Sequence, residues 1–336
     1  MKRTVFLLGI LGFALIVIGL PFDKGEAAPP IVIKAVSAWP VSHPGNQYYK
    51  EYIKRVNEKA KGELEIQLLG GPEVVSAFDQ LKALSTGVVD MIHGDASYYA
   101  GIVSEGTILG LAKPGSYVQA FRESGVIDDY KRAYLERGKA VFLGAMWIGM
   151  PFYIMTTKPV SKLDDLRGLK LRSMGGLSDV FLGELGTSVV KIASAETYEV
   201  LQRGIVDGAL RNTVSLIEFK EYEVLKYIVF PGAYSPAGTA WIGEKKWNSI
   251  PKHLQTMLEA TAIEVEAEAA KYFEETDAVR LKEVQEKHGM KIVYLGEKEI
   301  ARLNGTRAGA AVKDWIYKKA PVYGPSIFEK MIPYIK

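Results

Sequence analysis

One phrase occurs twice in the chain: LSTGVVDM at 84–91 and LQRGIVDG at 201–208 share Leu-x-x-Gly-aliphatic-Val-Asp. In both copies an amphipathic helix runs into a glycine, the residue that most readily takes the left-handed turn closing a helix. A short strand follows, with an aspartate behind it. Each copy also follows its own glycine-containing strand segment, QLLGG and KLRSMGG. A helix–glycine–strand unit used twice predicts two similar α/β lobes, the second starting near Met150. A chain of 336 residues is long enough to divide its core in that way.

The first lobe reads as alternating elements. IVIKAVSAW (31–39) is a buried strand ended by Pro40, and 46–62 is helical, with Tyr49, Ile53 and Val56 at helical spacing and Gly62 as the stop. LEIQLLGG (64–71) is a second strand, 77–87 a helix and 88–94 a third strand. Such alternation belongs to an α/β domain with a mostly parallel sheet. The apolar segment 142–160 is strand-like and suits a crossing between lobes. From Pro251 to Lys287 no further glycine or proline interrupts an Ala-, Glu-, Leu- and Lys-rich run. It predicts one helix of roughly 35 residues, about 50 Å long, lying across both lobes. A strand at 291–295 and a last helix near 297–320 complete the pattern.

The N-terminus has the three parts of a secretory signal: Lys2 and Arg3, an uncharged apolar run at 4–20, and small residues in GEAAPP at 25–30. We expect a signal peptide over 1–27, cut after Ala27 or Ala28, and an extracytoplasmic, periplasmic location. The apolar run is short of the roughly 20 residues that span a bilayer. The chain has no cysteine, which removes a lipid anchor on a cleavage-site cysteine, disulfides, thiolate metal sites and a cysteine nucleophile. A net charge of +3, with acids and bases mixed along the chain, gives no support for a nucleic-acid partner.

Several further segments resemble one family. GGPEVVSAFDQLKALSTGVVDM (70–91), KPVSKLDDLRGLKLR (158–172), ETYEVLQRGIVDGA (196–209) and EYEVLKYIVFP (221–231) look like the substrate-binding proteins of TRAP transporters, the DctP type, in the expected order over essentially the whole mature chain. The long helix from Pro251 matches as well. The resemblance implies an α/β, two-lobed periplasmic-binding-protein-like fold with a long helix spanning both lobes. Its lobes would be discontinuous, one made of 30–150 and 236–270, the other of 151–235 and 271–336. The implied function is an extracytoplasmic receptor that closes over a carboxylated organic acid and delivers it to membrane permease subunits run by an ion gradient.

In that family the strand ending DLxGxKxR presents an arginine that pairs with the ligand carboxylate, which puts that role on Arg172. A guanidinium suits it, being planar, permanently charged and able to offer two parallel N–H donors. Gly175 and Gly176 would let backbone and ligand approach closely. Arg167 and Lys170 read as scaffold or rim. In DGALRNTVS (207–215), Arg211 and Asn212 compete for the family's polar wall position, and Asn212 also suits a helix N-cap. Glu73, after GGP, stands in the loop that faces the cleft in the family, or serves as a helix-start acid. Phe152 occupies a place where sialic-acid and C4-dicarboxylate members carry another arginine, which points to a more apolar or monocarboxylate ligand, or to simple core. Trp39, Tyr98, Tyr99, Trp147 and Trp241 are aromatic candidates for the cleft, and several together would favour an aromatic or branched acid.

The short catalytic signatures G-x-S-x-G, H-E-x-x-H, the Walker loop and G-x-G-x-x-G after a strand are missing, and His43, His93, His253 and His288 are scattered. The expectation is therefore a monomeric receptor rather than an enzyme, without a cofactor. The acid-Trp arrangement that metal-using members carry after Asp-Gly is absent from ALRNTVSLIEF, so direct arginine contact without a metal is expected. A periplasmic sensor subunit for a signalling kinase would use the same binding chemistry, and a secreted hydrolase is the remaining alternative.

Overall fold

In the computed structural model of the chain, residues 29–335 are described, apart from 114, and the expected signal segment at 1–27 lies outside them. The described chain starts with a β-α-β-α-β run: β1 (Ile31–Ser37), α1 (Gln47–Lys59), β2 (Leu64–Gly70), α2 (Gln80–Thr86) and β3 (Met91–Asp95). Helices α3 (Tyr117–Glu123) and α4 (Val126–Gly138) lead into β4 (Ala140–Trp147), which hands over to β5 (Phe152–Thr156). A second run follows: β6 (Lys170–Ser173), α5 (Leu177–Glu184), β7 (Ser188–Lys191), α6 (Thr197–Gln202) and β8 (Gly208–Arg211). Then come α7 (Thr213–Glu218), β9 (Tyr227–Tyr234), β10 (Gly238–Gly243), α8 (Glu244–Ser249) and the long α9 (Lys252–His288). The chain closes with β11 (Lys291–Tyr294), α10 (Glu297–Arg307), α11 (Ala310–Lys319) and α12 (Gly324–Ile335).

The strands form two sheets, ordered β2-β1-β3-β10-β4 and β11-β9-β5-β8-β6-β7. In each sheet the three strands of a run pair in parallel with the first in the middle, and the next strand pairs antiparallel. β10 beside β3 thus corresponds to β5 beside β8. The connections β4 to β5 and β9 to β10 each pass from one sheet to the other, so each lobe borrows strands from beyond the other.

The twice-used phrase does the same work in both lobes. Gly87 closes α2 at φ +78°, its amide bonded to the carbonyls of Ala83 and Leu84, and Gly204 takes φ +65° after α6. Val88 N–H then donates to Ala83 O, and Ile205 N–H to Val200 O, both at 2.9 Å. The aspartates complete the match. Asp90 donates its amide to Lys34 O at 2.8 Å and accepts from Lys34 N at 2.9 Å. Asp207 does likewise with Lys170, at 2.7 and 2.9 Å. Each carboxylate ties its strand to the neighbouring parallel strand of the run.

Helix α1 buries Tyr49, Tyr52, Ile53 and Val56, the i, i+3, i+4, i+7 face its sequence offers. Helix α9 joins the lobes. Leu254, Leu258, Ala262 and Val265 pack in a core with Ile33, Leu143 and Met146 of the first sheet, while Leu281 and Val284 pack with Tyr153, Met155 and Ile228 of the second. Between them Asp277 accepts hydrogen bonds from the hydroxyls of Tyr153 (2.6 Å) and Thr213 (2.8 Å). Among the described residues no helix is long and apolar enough to cross a membrane.

Three local features differ from the sequence reading. β1 ends at Ser37, because the chain turns at Ala38 and Trp39 before Pro40. The helix expected at 297–320 is two helices, interrupted at Ala308 and Gly309, with Gly309 extended as the N-cap of α11. α12 is an additional helix. It packs on α3, α4 and the 3₁₀ segment Ser104–Leu111, whereas α10 and α11 pack on α5.

Candidate ligand-binding site

β6 alternates as its sequence dictates: Lys170 is exposed, Leu171 enters the main core, and Arg172 points from the opposite face of the strand end. Arg172 is wholly buried. Its Nε donates to Ile192 O at 2.9 Å and its Nη1 to Leu210 O at 3.2 Å, while Nη2 has no partner. Burial, and then the neighbouring charge of Arg211, lower its pKa to about 10. The guanidinium remains charged at neutral pH.

Arg172 lines a small cavity between the lobes, about 10 Å³ in volume, room for about one water. Its lining combines Trp39, Asp95, Tyr98 and Trp147 of the first lobe with Phe152, Arg172, Met174, Ser194, Arg211 and Ser215 of the second. Trp39 and Trp147 are tilted together, ring centroids 5.0 Å apart, and Phe152 lies 6.3 Å from Trp147. Tyr98 receives the Ser194 amide at 3.3 Å, a bond from one lobe to the other.

The two residues left in competition at the second wall have separate places. Arg211 lines the cavity but is already engaged. Its Nε and Nη2 form a two-pronged ion pair with Glu221, with 2.7 Å for Nε, and Nη1 donates to Ser194 Oγ at 2.7 Å. Asn212 caps α7: its Oδ1 accepts from Ser215 N at 2.7 Å, and its buried Nδ2 has no partner. Glu73 is exposed, accepts from Gly71 N at 2.6 Å, and does not reach the cavity. Tyr99 and Trp241 pack against each other in the first-lobe core, centroids 5.6 Å apart. Arg167 pairs with Asp164 at the surface.

The glycines after Arg172 allow a different approach from the one their position suggested. A Cβ on Gly176 would lie 2.5 Å from Thr107 Cγ2, and one on Gly175 would lie 3.2 Å from Ser97 O. At Gly175 the nearest atom is Lys191 Cε of its own lobe, at 3.0 Å, with Ser97 of the first lobe next; Gly176 has only first-lobe neighbours and lets the lobes meet.

Asp95, Met174, Ser194 and Ser215 are lining residues that the sequence reading missed. Asp95 carried a usable signal: it ends an apolar strand in an α/β lobe, and ligands of open α/β sheets bind beyond the carboxyl ends of strands. Its Oδ1 accepts from Ser97 N at 2.7 Å. Burial raises its pKa from 3.8 to about 6, against the Ser97 hydrogen bonds and the charge of Arg172.

His43 comes within 3.3 Å of Ser215 Oγ through Nε2 and stacks on Phe219 at 5.2 Å. Its Nδ1 accepts from Gly45 N at 3.0 Å, so that nitrogen carries no proton to give an orienting acid. Burial lowers its pKa to about 3. The pair bridges the lobes and lacks the third member of a nucleophilic triad.

Two α/β lobes, a spanning helix and a buried arginine at the cavity between them define a two-lobed solute receptor. Residues 35–313 match the family model for the bacterial extracellular solute-binding protein, family 7 (DctP), and the chain belongs to that family. A solute-binding protein of Albidiferax ferrireducens is 26% identical over 276 residues, covering 79% of this chain and 80% of that protein. Among solved structures, a TRAP periplasmic solute-binding protein from Desulfovibrio salexigens with bound orotic acid superposes with a TM-score of 0.81 at 19% identity, covering 91% of this chain and 99% of the other. The Bordetella pertussis receptor DctP7, binding pyroglutamic acid, superposes with a TM-score of 0.80 at 17% identity, covering 89% and 98%. The family is one of non-enzymatic transport receptors.

Proposed function

We propose that the chain captures a carboxylate-bearing organic acid between its lobes, anchors it on Arg172 and delivers it outside the cytoplasm to the membrane permease of a TRAP transporter. One observation carries this reading: a wholly buried arginine lines the cavity between the lobes and keeps its Nη2 without a partner. A buried donor left unpaired costs stability, and a carboxylate oxygen is the acceptor that best repairs it. Fold neighbours whose bound ligands are orotic and pyroglutamic acid support a carboxylate. The lobes would hinge where the chain crosses, at 148–151, at 235–237 and near the middle of α9.

Calorimetry on wild type, Arg172→Lys and Arg172→Ala tests the anchor, with ligands chosen by a thermal-shift screen of mono-, di- and aromatic carboxylates. Loss of one partner from a buried charge pair costs about 3–5 kcal/mol, so Arg172→Ala should lose two to four decades of affinity. Arg172→Lys should recover part of that. Near-normal affinity in a folded Arg172→Ala protein would refute the anchor.

A further inference from the structure

The cavity is lined by two buried opposite charges, Arg172 and Asp95, that act on each other without a close ion pair. Arg172 donates from Nε and Nη1 to two backbone carbonyls and has the Tyr98 hydroxyl beside it, while Nη2 is unpartnered. Asp95, 3% exposed, faces it from the other lobe, with its Oδ1 bonded to the Ser97 amide of its own turn and no Lys or Arg in an ion pair with it among the described residues. The two line the same cavity without forming an ion pair with each other. Arg211, by contrast, is neutralised by Glu221.

The lining charges and the Glu221 partner of Arg211 therefore sum to zero before a solute enters, Arg172 and Arg211 against Asp95 and Glu221. Asp179 and Lys191 just outside act on each other and leave that sum unchanged. A plain carboxylate on Arg172 would leave a buried excess of negative charge beside Asp95, which is costly at low dielectric. A solute carrying its own cation keeps the balance and supplies Asp95 with the partner it lacks. The remaining walls are Trp39, Trp147, Phe152 and Met174, an apolar lining for a solute that enters with the lobes parted.

We propose that the solute is an amino acid with an apolar side chain, its carboxylate on Arg172 and its ammonium on Asp95. This rests on the carboxylate reading above and narrows it. Asp95 becomes a specificity-determining residue: it selects for the ammonium and against an acid of the same shape without one.

Calorimetry on the full-length mature chain with shape-matched probe pairs tests the inference: L-proline with cyclopentanecarboxylate, L-leucine with 4-methylpentanoate, and L-phenylalanine with 3-phenylpropanoate. Charged hydrogen bonds of this kind discriminate by about tenfold or more. The expected result is that at least one amino acid binds wild type at least about tenfold more tightly than its partner. Asp95→Asn should remove most of that ratio, and Arg172→Ala should weaken both members of the pair. Thermal melts establish that each variant is folded. If the deaminated acids bind as tightly as the amino acids, or if Asp95→Asn keeps the ratio, the inference fails while the carboxylate anchor stands. Proton uptake on binding of a plain acid, read as a dependence of binding heat on buffer, would also overturn it, by showing that Asp95 is neutralised by a proton instead. If no acid of either kind binds, both the inference and the anchor are refuted.

Discussion

Arg211 brings its counter-ion with it in Glu221, whereas Arg172 and Asp95 each lie buried without a close ion pair. The free protein carries that arrangement as a cost. Raising the Asp95 pKa from 3.8 to about 6 corresponds to about 3 kcal/mol for keeping the carboxylate ionised at neutral pH. Because the folded carboxyl holds its proton more tightly than the unfolded one, its contribution is fully present below the unfolded value and is lost as pH rises through about 6. Asp95→Asn keeps an oxygen for the Ser97 amide and removes the charge. Urea unfolding should find the variant about 3 kcal/mol more stable than wild type at pH 7.5, with most of the gain gone at pH 4. An equal gain at both pH values would show that something other than the charge is responsible. Arg172 was legible in the sequence because strand alternation and the family phrase agree on it. Asp95 offered only its place at the end of an apolar strand, a position it shares with surface caps, and its burial opposite Arg172 decides between the two. The choice between Arg211 and Asn212 was illegible for a related reason: Glu221, which occupies Arg211, lies ten residues further on, beyond a helix.

The duplicated helix–glycine–strand unit and the long helix were the parts of the fold that sequence could deliver, since both rest on local rules of capping and uninterrupted helix formers. The break at Gly309 and the docking of α12 on α3 and α4 were not deliverable, because they depend on which surface the C-terminal segment finds. The duplication makes a quantitative claim. Asp90 and Asp207 each tie the neighbouring strand's backbone amide at 2.9 Å, and each also pairs with a lysine, Lys246 or Lys158. Asp90→Ala and Asp207→Ala should each cost about 1–2 kcal/mol in chemical denaturation, by similar amounts, and the double variant should show their sum. A large cost at one site and none at the other would break the equivalence of the two lobes.

At the scale of the molecule, closure has contacts of its own. Lys191 of the second lobe lies with Nζ 4.2 Å from the centroid of the Phe78 ring of the first, at the rim and outside the cavity lining. A cation over a ring is worth about 0.5–2 kcal/mol. Lys191→Met should therefore raise the dissociation rate of a bound solute by about 2–30-fold while leaving its stoichiometry unchanged, as measured by stopped-flow release. An unchanged release rate would remove this contact from the closed state's energetics.

β10 sits in the middle of the first sheet, between β3 and β4, although the chain reaches it only after finishing every strand of the second sheet except β11. A ribosome makes β1 to β4 early, yet their sheet has an empty slot until residues 238–243 emerge. The lobe whose synthesis begins first is therefore the one that must wait. Throughout that delay β3 and β4 have no shared neighbour, and the first sheet stays incomplete until most of the chain has been made.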